Sequence, residues 1–445
     1  MGPVSISGGV SGLDWQSIVD QLMAIEQKPV NDLQAKEATW RSDESIWTDL
    51  GTKLGDLDAA IQNLQSASTW NALAFTSSNT SVVTGSAGSG AVPGTYQINV
   101  TQLAQAEKDA SDAQSSTTTP LGLQGSFSIN GVQVQVASTD TLTDIAAHIT
   151  ATSAQSNVQA TVVGSQLVIT ALNTNAAISY SDVSGGILQT LGVLTSTGTV
   201  KNQLLAPQPA KFTVDNTISV TSDTNTSTAI AGVTLNLVSM GTATVTVSQD
   251  TQKIVQAVQD FVNKYNTAWS AITSNLAKGA ALQGDSTLMQ LQVKLRQLVS
   301  TMVSGLPADY NNLSDIGVST SGKDGTLSLD TAKLASAIAA NPGAVQNLFA
   351  STQSGVTPLG VQFNNLLTMY TDPATGIIKT VNDSLNAQIQ DADNQIAQLQ
   401  SFLAMRKAAL QQQFIAMESM ITMLNGQMSA LGQMPVPTGL GVSSQ

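Results

Sequence analysis

The chain of 445 residues carries 17 Lys and Arg against 30 Asp and Glu, giving a net charge of −13 and a pI near 4.3. That balance argues against nucleic acid, whose phosphates need a basic surface, and against docking on an anionic membrane. With no Cys and one histidine, His148, disulfides, thiolate metal sites and any site needing two imidazoles are excluded, and no metal or cofactor is expected.

The length corresponds to about three domains. Only 11% of residues are charged, which suits a protein that packs against many copies of something, and equally an extracellular protein. The opening MGPVSISGG lacks the basic start and apolar core of a secretory signal, and no apolar run is long enough to suggest a membrane span. The expectation is a soluble protein, either cytoplasmic or exported without a cleaved signal.

In chain order, Asp14 offers an N-cap to a short helix with Ile18, Val19, Leu22, Met23 and Ile25 on one face. Pro29 ends it or begins the next. Leu33, Trp40, Trp47, Leu54 and Ile61 then stand seven apart, with Leu50, Leu57 and Leu64 as a companion row whose earlier positions are Lys36 and Asp43. This is a heptad seam, so packing is the expected role of Trp40 and Trp47, rather than stacking on a carbohydrate.

The composition changes near Trp70. Between residues 80 and 250 there is no Arg, and the only lysines are Lys108, Lys201 and Lys211. Period-two runs at 96–100, 127–129, 132–136, 158–162, 167–170, 211–214, 233–237 and 244–247 predict short strands, with Asn130-Gly131 as a hairpin turn. One helix, 141–149, interrupts them with Leu142, Ile145 and Ile149 inward. His148 lies four residues after Asp144 on this helix, in position for a local ion pair or for plain exposure. The Gly/Ser-rich stretch 85–94 reads as a hinge into the β region.

From Asp250 the helical period returns: Ile254, Val258, Phe261, Tyr265, Trp269, Ile272 and Leu276, then a helix over 286–303 with Leu288, Leu291, Leu295, Leu298 and Met302 inward. Gly279 to Ser286 has the spacing of a phosphate-binding loop, but Asp285 stands where the lysine belongs, and an interhelical loop capped by Asp285 or Ser286 is the better reading. A hairpin follows around 316–329, turning at 322–325. Asp330 caps a helix ending at Asn341-Pro342, and two shorter helical pieces precede the last long helix. That helix, 381–431, has a seam of Leu385, Ile389, Ala392, Ile396, Leu399, Leu403, Leu410, Phe414, Met417, Ile421, Leu424, Met428 and Leu431, about 75 Å long at the usual rise. Between Leu403 and Leu410 the register breaks at Arg406. The tail from Met434 reads as disordered.

Helical seams at both ends and β runs between them predict an α+β multidomain protein: an antiparallel coiled-coil or helical-bundle leg built from both chain ends, with two mainly-β head lobes inserted. The expected boundaries are 1–35 and 410–445 for terminal leg helices weakly ordered alone, 36–78 and 250–409 for the helical leg, 79–120 and 195–249 for one β lobe, and 121–194 for the other. The residues expected to pair the helices are Leu33, Trp40, Trp47, Leu54, Ile61, Leu385, Ile389, Ile396, Leu399 and Leu403.

SGLD at 11–14, Ile18-Val19, QLM at 21–23, Glu26 and Pro29 together resemble the N-terminal motif of the bacterial flagellar filament cap proteins, the hook-associated protein 2 family. TLTDIAA at 141–147, followed by 158–162 and 167–170, resembles the flagellin hook repeat. AKFTVD at 210–215, IAGVTL at 230–235, FVNKYN at 261–266, GTLSLD at 325–330 with Leu348-Phe349, and QFIAME at 413–418 are similar to later family segments, in the same order.

The resemblance implies a non-enzymatic cap at the filament tip, exported unfolded through the flagellar type III channel. It also implies partners: further copies of itself in a ring, flagellin, the hook–filament junction protein, and an export chaperone on the C-terminal segment. Ile18, Leu22, Met23, Leu410, Phe414, Met417, Ile421 and Leu424 are the residues expected to make such contacts. The methionines at 405, 417, 420, 423 and 428 fit either an ordinary helical core or a face that exchanges chaperone for flagellar subunits. The alternative function is a surface adhesin binding host glycan through the β lobes. An enzyme is disfavoured, since no catalytic set can be built around a single His and no carboxylate pair stands out.

Overall fold

A computed structural model describes residues 14–322 and 324–432. The disordered tail expected from Met434, the start of the N-terminal motif at Ser11, and Lys323 in the hairpin turn lie outside those residues. The chain forms two compact units: Met1–Ser66 with Val255–Gln445, and Ala67–Ile254. The described residues hold no helix long and apolar enough to cross a membrane.

The first unit is helical. Helix Trp15–Glu26 is capped by Asp14, whose carboxylate accepts from Ser17 N at 3.2 Å. After a one-residue turn at Gln27, Pro29 sits in the first turn of helix Lys28–Gln65, where its missing N–H costs nothing. The last helix, Ile377–Gly432, runs antiparallel to it. Polar pairs mark the alignment: Arg41 Nη2 to Asp393 Oδ2 at 3.2 Å, Asn386 Nδ2 donating to Glu44 Oε1 at 2.8 Å, and Asn382 Nδ2 donating to Thr48 Oγ1 at 3.2 Å. As one residue number rises the other falls, so both chain ends share one antiparallel seam.

Helices Thr251–Leu276, Ser286–Val299, Thr331–Ala340, Pro342–Ala350 and Leu359–Thr371 complete this part of the fold. Trp47, Leu50, Leu54, Leu57, Ile61 and Leu64 are buried, as are Val258, Phe261, Tyr265, Trp269 and Ile272. Phe261 meets Phe363 edge-on at 5.5 Å and Phe349 at 6.3 Å, and Tyr265 stacks on Trp269 at 5.9 Å, the geometries that ring quadrupoles favour. The hairpin Val318–Thr320 with Leu327–Leu329 locks onto this stack, since Trp269 Nε1 donates to Asp324 O. Gly325, at φ +77°, lies so close that a Cβ would stand 2.4 Å from the Trp269 ring. Asp285 caps its helix by accepting from Leu288 N at 2.8 Å, the interhelical-loop reading. That helix stops at Val299, short of 303. Ser300 and Thr301 hydroxyls donate back to the carbonyls of Arg296 and Gln297, the period lapses, and Met302 is exposed while Val303 is buried.

The second unit contains two β cores. In one, a five-stranded antiparallel sheet orders Leu73–Ser77, Gly241–Gln249, Gly94–Gln102, Ala210–Val214 and Ile218–Ser222. It shares its core with a three-stranded sheet of Thr226–Ser227, Val233–Leu237 and Val83–Ala87; Ile98, Val100, Phe212, Leu235 and Val245 are buried between them. In the other, a four-stranded sheet of Asn202–Leu205, Lys108–Ala110, Gln166–Ala171 and Val158–Val163 packs with a three-stranded sheet of Val132–Val136, Gly125–Ile129 and Tyr180–Ser184. Helix Leu142–Ala151 closes this core through Leu142, Ile145 and Ile149, and begins with a capping box between Thr141 and Asp144.

All eight expected strands form, and Asn130 and Gly131 take the positive φ of a hairpin turn. Three expectations are corrected. The stretch from Gly85 is no hinge at its start: Val83–Ala87 is a ladder strand, and a Cβ on Gly85 would stand 2.2 Å from Thr234 O. The first segment of the helical unit ends at Ser66, not 78: the short helix Ala67–Trp70 and Leu73–Ser77, an edge strand on Gly241–Gln249, belong to the other unit. Residues 108–110 and 202–205 belong to the second β core, since they extend its four-stranded sheet. His148 is exposed, one of the two states expected of it, with its ring 3.5 Å from Asp140, while the Asp144 carboxylate is engaged in the capping box.

Two buried carboxylates join the sheets of the second core. Glu107 accepts from Ile178 N and from Gln203 Nε2, and Asp109 accepts from the Tyr180 hydroxyl at 2.8 Å. Burial, opposed by the Tyr180 hydrogen bond and reinforced by the nearby Glu107, pushes Asp109 up to about 6. Its pKa is raised on folding, so the protonated form contributes stability that is fully present below pH ~4 and is lost as pH rises through about 6. The stability of this core is predicted to fall by on the order of 2 kcal/mol between pH 4 and 7, and Asp109→Asn to flatten that slope. Hydrogen exchange of residues 108–110 and 166–171 across the range checks this; an unchanged slope in the variant refutes it.

Candidate partner-binding site on the paired terminal helices

Several of the residues expected from sequence to pair the helices or meet partners fall on the seam shared by the two chain ends. Trp15, Val19, Met23, Val30, Ile396 and Leu403 form a buried cluster, with Leu33, Leu399, Leu410 and Phe414 packed against it. Trp15 and Phe414 stack, their ring centroids 6.1 Å apart and their planes 18° from parallel. Around the cluster, Lys407 Nζ meets Asp20 Oδ1 at 2.9 Å and Arg406 Nε approaches Glu26 Oε1 at 3.7 Å. Both pairs are largely solvated, so each contributes at most about 1 kcal/mol; the stacked rings and buried aliphatics hold the two ends together.

Arg406, the charged residue that interrupts the seam, lies against Glu26, next to the Gln27 turn between the two N-terminal helices. The register break of the last helix therefore coincides with the point where its partner changes from one helix to the other.

Of the residues expected to pair the helices, Trp47, Leu54, Ile61, Ile389, Ile396 and Leu403 are buried, and Leu33, Trp40, Leu385 and Leu399 are half-buried. The residues expected to contact partners divide. Ile18, Leu22, Met417 and Leu424 are exposed, while Leu410, Phe414 and Ile421 are half-buried. Met23 faces the last helix, not outward. The N-terminal helix is in fact apolar on two faces. Trp15, Val19 and Met23 recur every four residues and turn inward, whereas Ile18, Leu22 and Ile25 form a separate exposed stripe. Starting the helix face at Ile18 merged the stripes and missed Trp15, although the spacing of Trp15, Val19 and Met23 was there to be read. Val30, fully buried in the same cluster, was also missed, because one apolar residue beside Pro29 carries no period.

Beyond Phe414 the seam steps evenly by three and four, yet Met417, Leu424, Met428 and Leu431 are exposed, and Ile415, Met420 and Met423 flank them in the open. Trp15, the first residue of its helix, stacks on Phe414, so the described part of the inner partner begins opposite the start of this stretch. Among the described residues no group of three or more His, Asp or Glu is arranged to hold a metal. The described residues thus present paired terminal helices with an exposed seam beyond Phe414, and β cores that lie between them in sequence.

The N-terminal domain of flagellar hook-associated protein 2 matches residues 11–107, its C-terminal domain matches 207–426, and the flagellin hook IN motif matches 122–173. The chain belongs to the flagellar hook-associated protein 2 family. It is 29% identical to the A-type flagellar hook-associated protein 2 of Pseudomonas aeruginosa, with 97% of this chain and 98% of that protein covered. It is 28% identical to the Escherichia coli K12 protein over the same shares. Among solved structures, the D1-D2-D3 domains of the flagellar cap protein FliD from Escherichia coli superimpose with a TM-score of 0.59 at 29% identity, covering 77% of this chain and 99% of that one.

Phe414→Ala removes one half of the stack with Trp15, a contribution of about 1 kcal/mol beyond area burial. The expected outcome is faster hydrogen exchange across Trp15–Glu26, with the melting of the helical core around Phe261 and Trp269 unchanged, and a larger loss in assembly than in melting temperature. A drop in core melting with assembly intact would refute the division of the last helix into two parts.

Proposed function

We propose that the chain is the structural cap at the distal tip of the flagellar filament, promoting folding and insertion of exported flagellin and preventing its loss. The observation that carries this reading is the seam that continues past its internal partner at Phe414. An exposed heptad face needs a helix to cover it, and a cap has to seat on the helical ends of subunits it later releases. Family membership across nearly the whole length of the relatives supports the same role.

In this reading several copies form a ring. The inner part of the seam, up to Leu403, keeps each subunit's ends paired, and the face beyond Leu410, with Ile18 and Leu22 beside it, meets flagellin and neighbouring copies. Before export, a chaperone covers the same C-terminal face, and at the base of a new filament the junction protein supplies the seat. The chain leaves the cell unfolded through the flagellar export channel without cleavage. Freedom from Cys suits that route, since a disulfide would cross-link the travelling chain. The role is non-enzymatic: it rests on covering and releasing helical faces. The glycan-binding alternative gains nothing from the lobes, where Trp70, Phe127 and Phe212 are buried and Phe75, Tyr96 and Tyr180 half-buried, leaving no open aromatic platform for a sugar ring.

In a host lacking its own cap protein, the full chain should restore filaments. Variants lacking 1–35 or 410–445 should give short or absent filaments, with flagellin accumulating in the medium. Normal filaments with no flagellin lost would overturn the assignment of the two ends.

A further inference from the structure

The last helix is divided by sulfur chemistry as sharply as by burial. Its paired half, residues 377–404, contains no methionine, and neither does helix Lys28–Gln65 opposite it. Leu, Ile and Ala fill that seam. Five of the chain's 12 methionines then stand between 405 and 428. Met405, Met420, Met423 and Met428 are 64–70% exposed and Met417 is 36% exposed, against 8% for Met23 inside the Trp15 cluster. By helical spacing Met417 and Met428 lie on the seam, Met420 is immediately beside it, and Met423 is one position further round. With no Cys in the chain, thioethers are the only sulfur groups an oxidant meets, and the most accessible cluster coincides with the uncovered face.

We propose that Met417, Met420, Met423 and Met428 form an oxidation-sensitive patch, whose conversion to sulfoxides by hydroperoxides turns off docking on the C-terminal face while leaving the folded units intact. This rests on the cap reading for what docks there. In each step a sulfur lone pair attacks the distal oxygen of hydrogen peroxide. The O–O bond breaks and an S–O bond forms, and the released hydroxide takes the proton from the transferred oxygen and leaves as water. Sulfur is oxidised by two electrons and the peroxide reduced by two. The product is polar and chiral where the thioether was apolar and flexible. Four such changes within twelve residues would place S–O dipoles along the surface that must become dry when a helical partner covers it. The step is reversible, because methionine sulfoxide reductases return both epimers. The paired half of the last helix offers no thioether, and Met23, the one in the Trp15 cluster, is buried, so oxidation would spare the contacts that hold each subunit's ends together.

The test uses the purified full-length chain, treated with hydrogen peroxide and assayed for binding to the ends of filaments grown from purified flagellin. Peptide mass spectrometry should show the four sulfoxides forming at least tenfold faster than that of Met23. End binding should fall at least tenfold after treatment and return after incubation with methionine sulfoxide reductases A and B. Met240, Met289 and Met302 are exposed elsewhere, so a variant carrying Met417→Leu, Met420→Leu, Met423→Leu and Met428→Leu isolates the patch. It should bind ends as the untreated chain does and lose less than twofold on the same treatment. Equal oxidation rates, unchanged binding after oxidation, or an equal loss in the leucine variant would each overturn the proposal. Failure of the untreated chain to bind filament ends would instead count against the cap reading itself.

Discussion

The helical unit depends on one constraint: an apolar seam must be covered, and here each chain end covers the other. Helix Lys28–Gln65 has its continuous buried row from Trp47 to Leu64; nearer its start Leu33 and Trp40 are half-buried and Val30 stands alone as a fully buried residue. The last helix buries Ile389, Ala392, Ile396 and Leu403 and then opens. Burial therefore fades along the pair toward the chain termini, on both strands of the pairing. The gradient has an energetic consequence. Each buried Leu or Ile contributes about 1.5–3 kcal/mol relative to exposure, so stability is concentrated where the pair joins the Phe261 and Trp269 core. Toward Trp15 it rests on one aromatic stack and a few aliphatic contacts. Local opening should begin there, as it does wherever few apolar contacts hold an element.

The β unit solves the same problem locally. Short strands with little hydrophobic length close two separate cores, each of two small sheets, and the charged residues the chain spends inside them act as fasteners. Glu107, just before strand Lys108–Ala110, and Asp109, within it, stand two apart, and both bond to the segment 178–180 that leads into the other sheet. Buried carboxylates are tolerated only when hydrogen-bonded. Asp109 meets that condition with one oxygen and leaves its other oxygen without a partner, which is why its ionised form is disfavoured.

Legibility in the sequence follows how regular each signal is. Long helices with strict periods, such as Leu33 to Ile61 and Leu385 to Leu403, declared themselves, as did strands with clean alternation such as 132–136 and 233–237. Strands that escaped include 73–77, 83–87, 108–110, 180–184, 202–205, 218–222 and 226–227, most of them short and interrupted by Gly, Ser, Thr, Asp or Asn. They pair because the surrounding fold supplies a ladder, not because their own pattern demands one. Domain limits were misplaced for the same reason, since a three-residue strand at Lys108 decides which core its neighbours join. At the candidate site, the seam and its break at Arg406 were visible as spacing. What the break meant was not, because only tertiary structure shows Gln27 and the change of partner helix lying opposite it.

The uncovered stretch beyond Phe414 remains helical for a reason that also bears on how it binds. An isolated segment of its length would be marginal, because the first turn fixes several residues for a single hydrogen bond. Here that nucleus already exists: the stretch continues a helix anchored from Ile378 to Leu403, so each further residue needs only propagation. Ala, Gln, Met and Leu propagate well, and Gly426 opposes them most within the stretch, by about 1 kcal/mol. A partner meeting this face therefore encounters a helix already in register, and the ordering cost of docking falls mainly on side chains. Flexible methionines on that face keep its shape adjustable to more than one partner. A rigid backbone with adaptable side chains suits repeated docking and release, and it arises here because the last helix runs on beyond Phe414, where its described partner begins at Trp15.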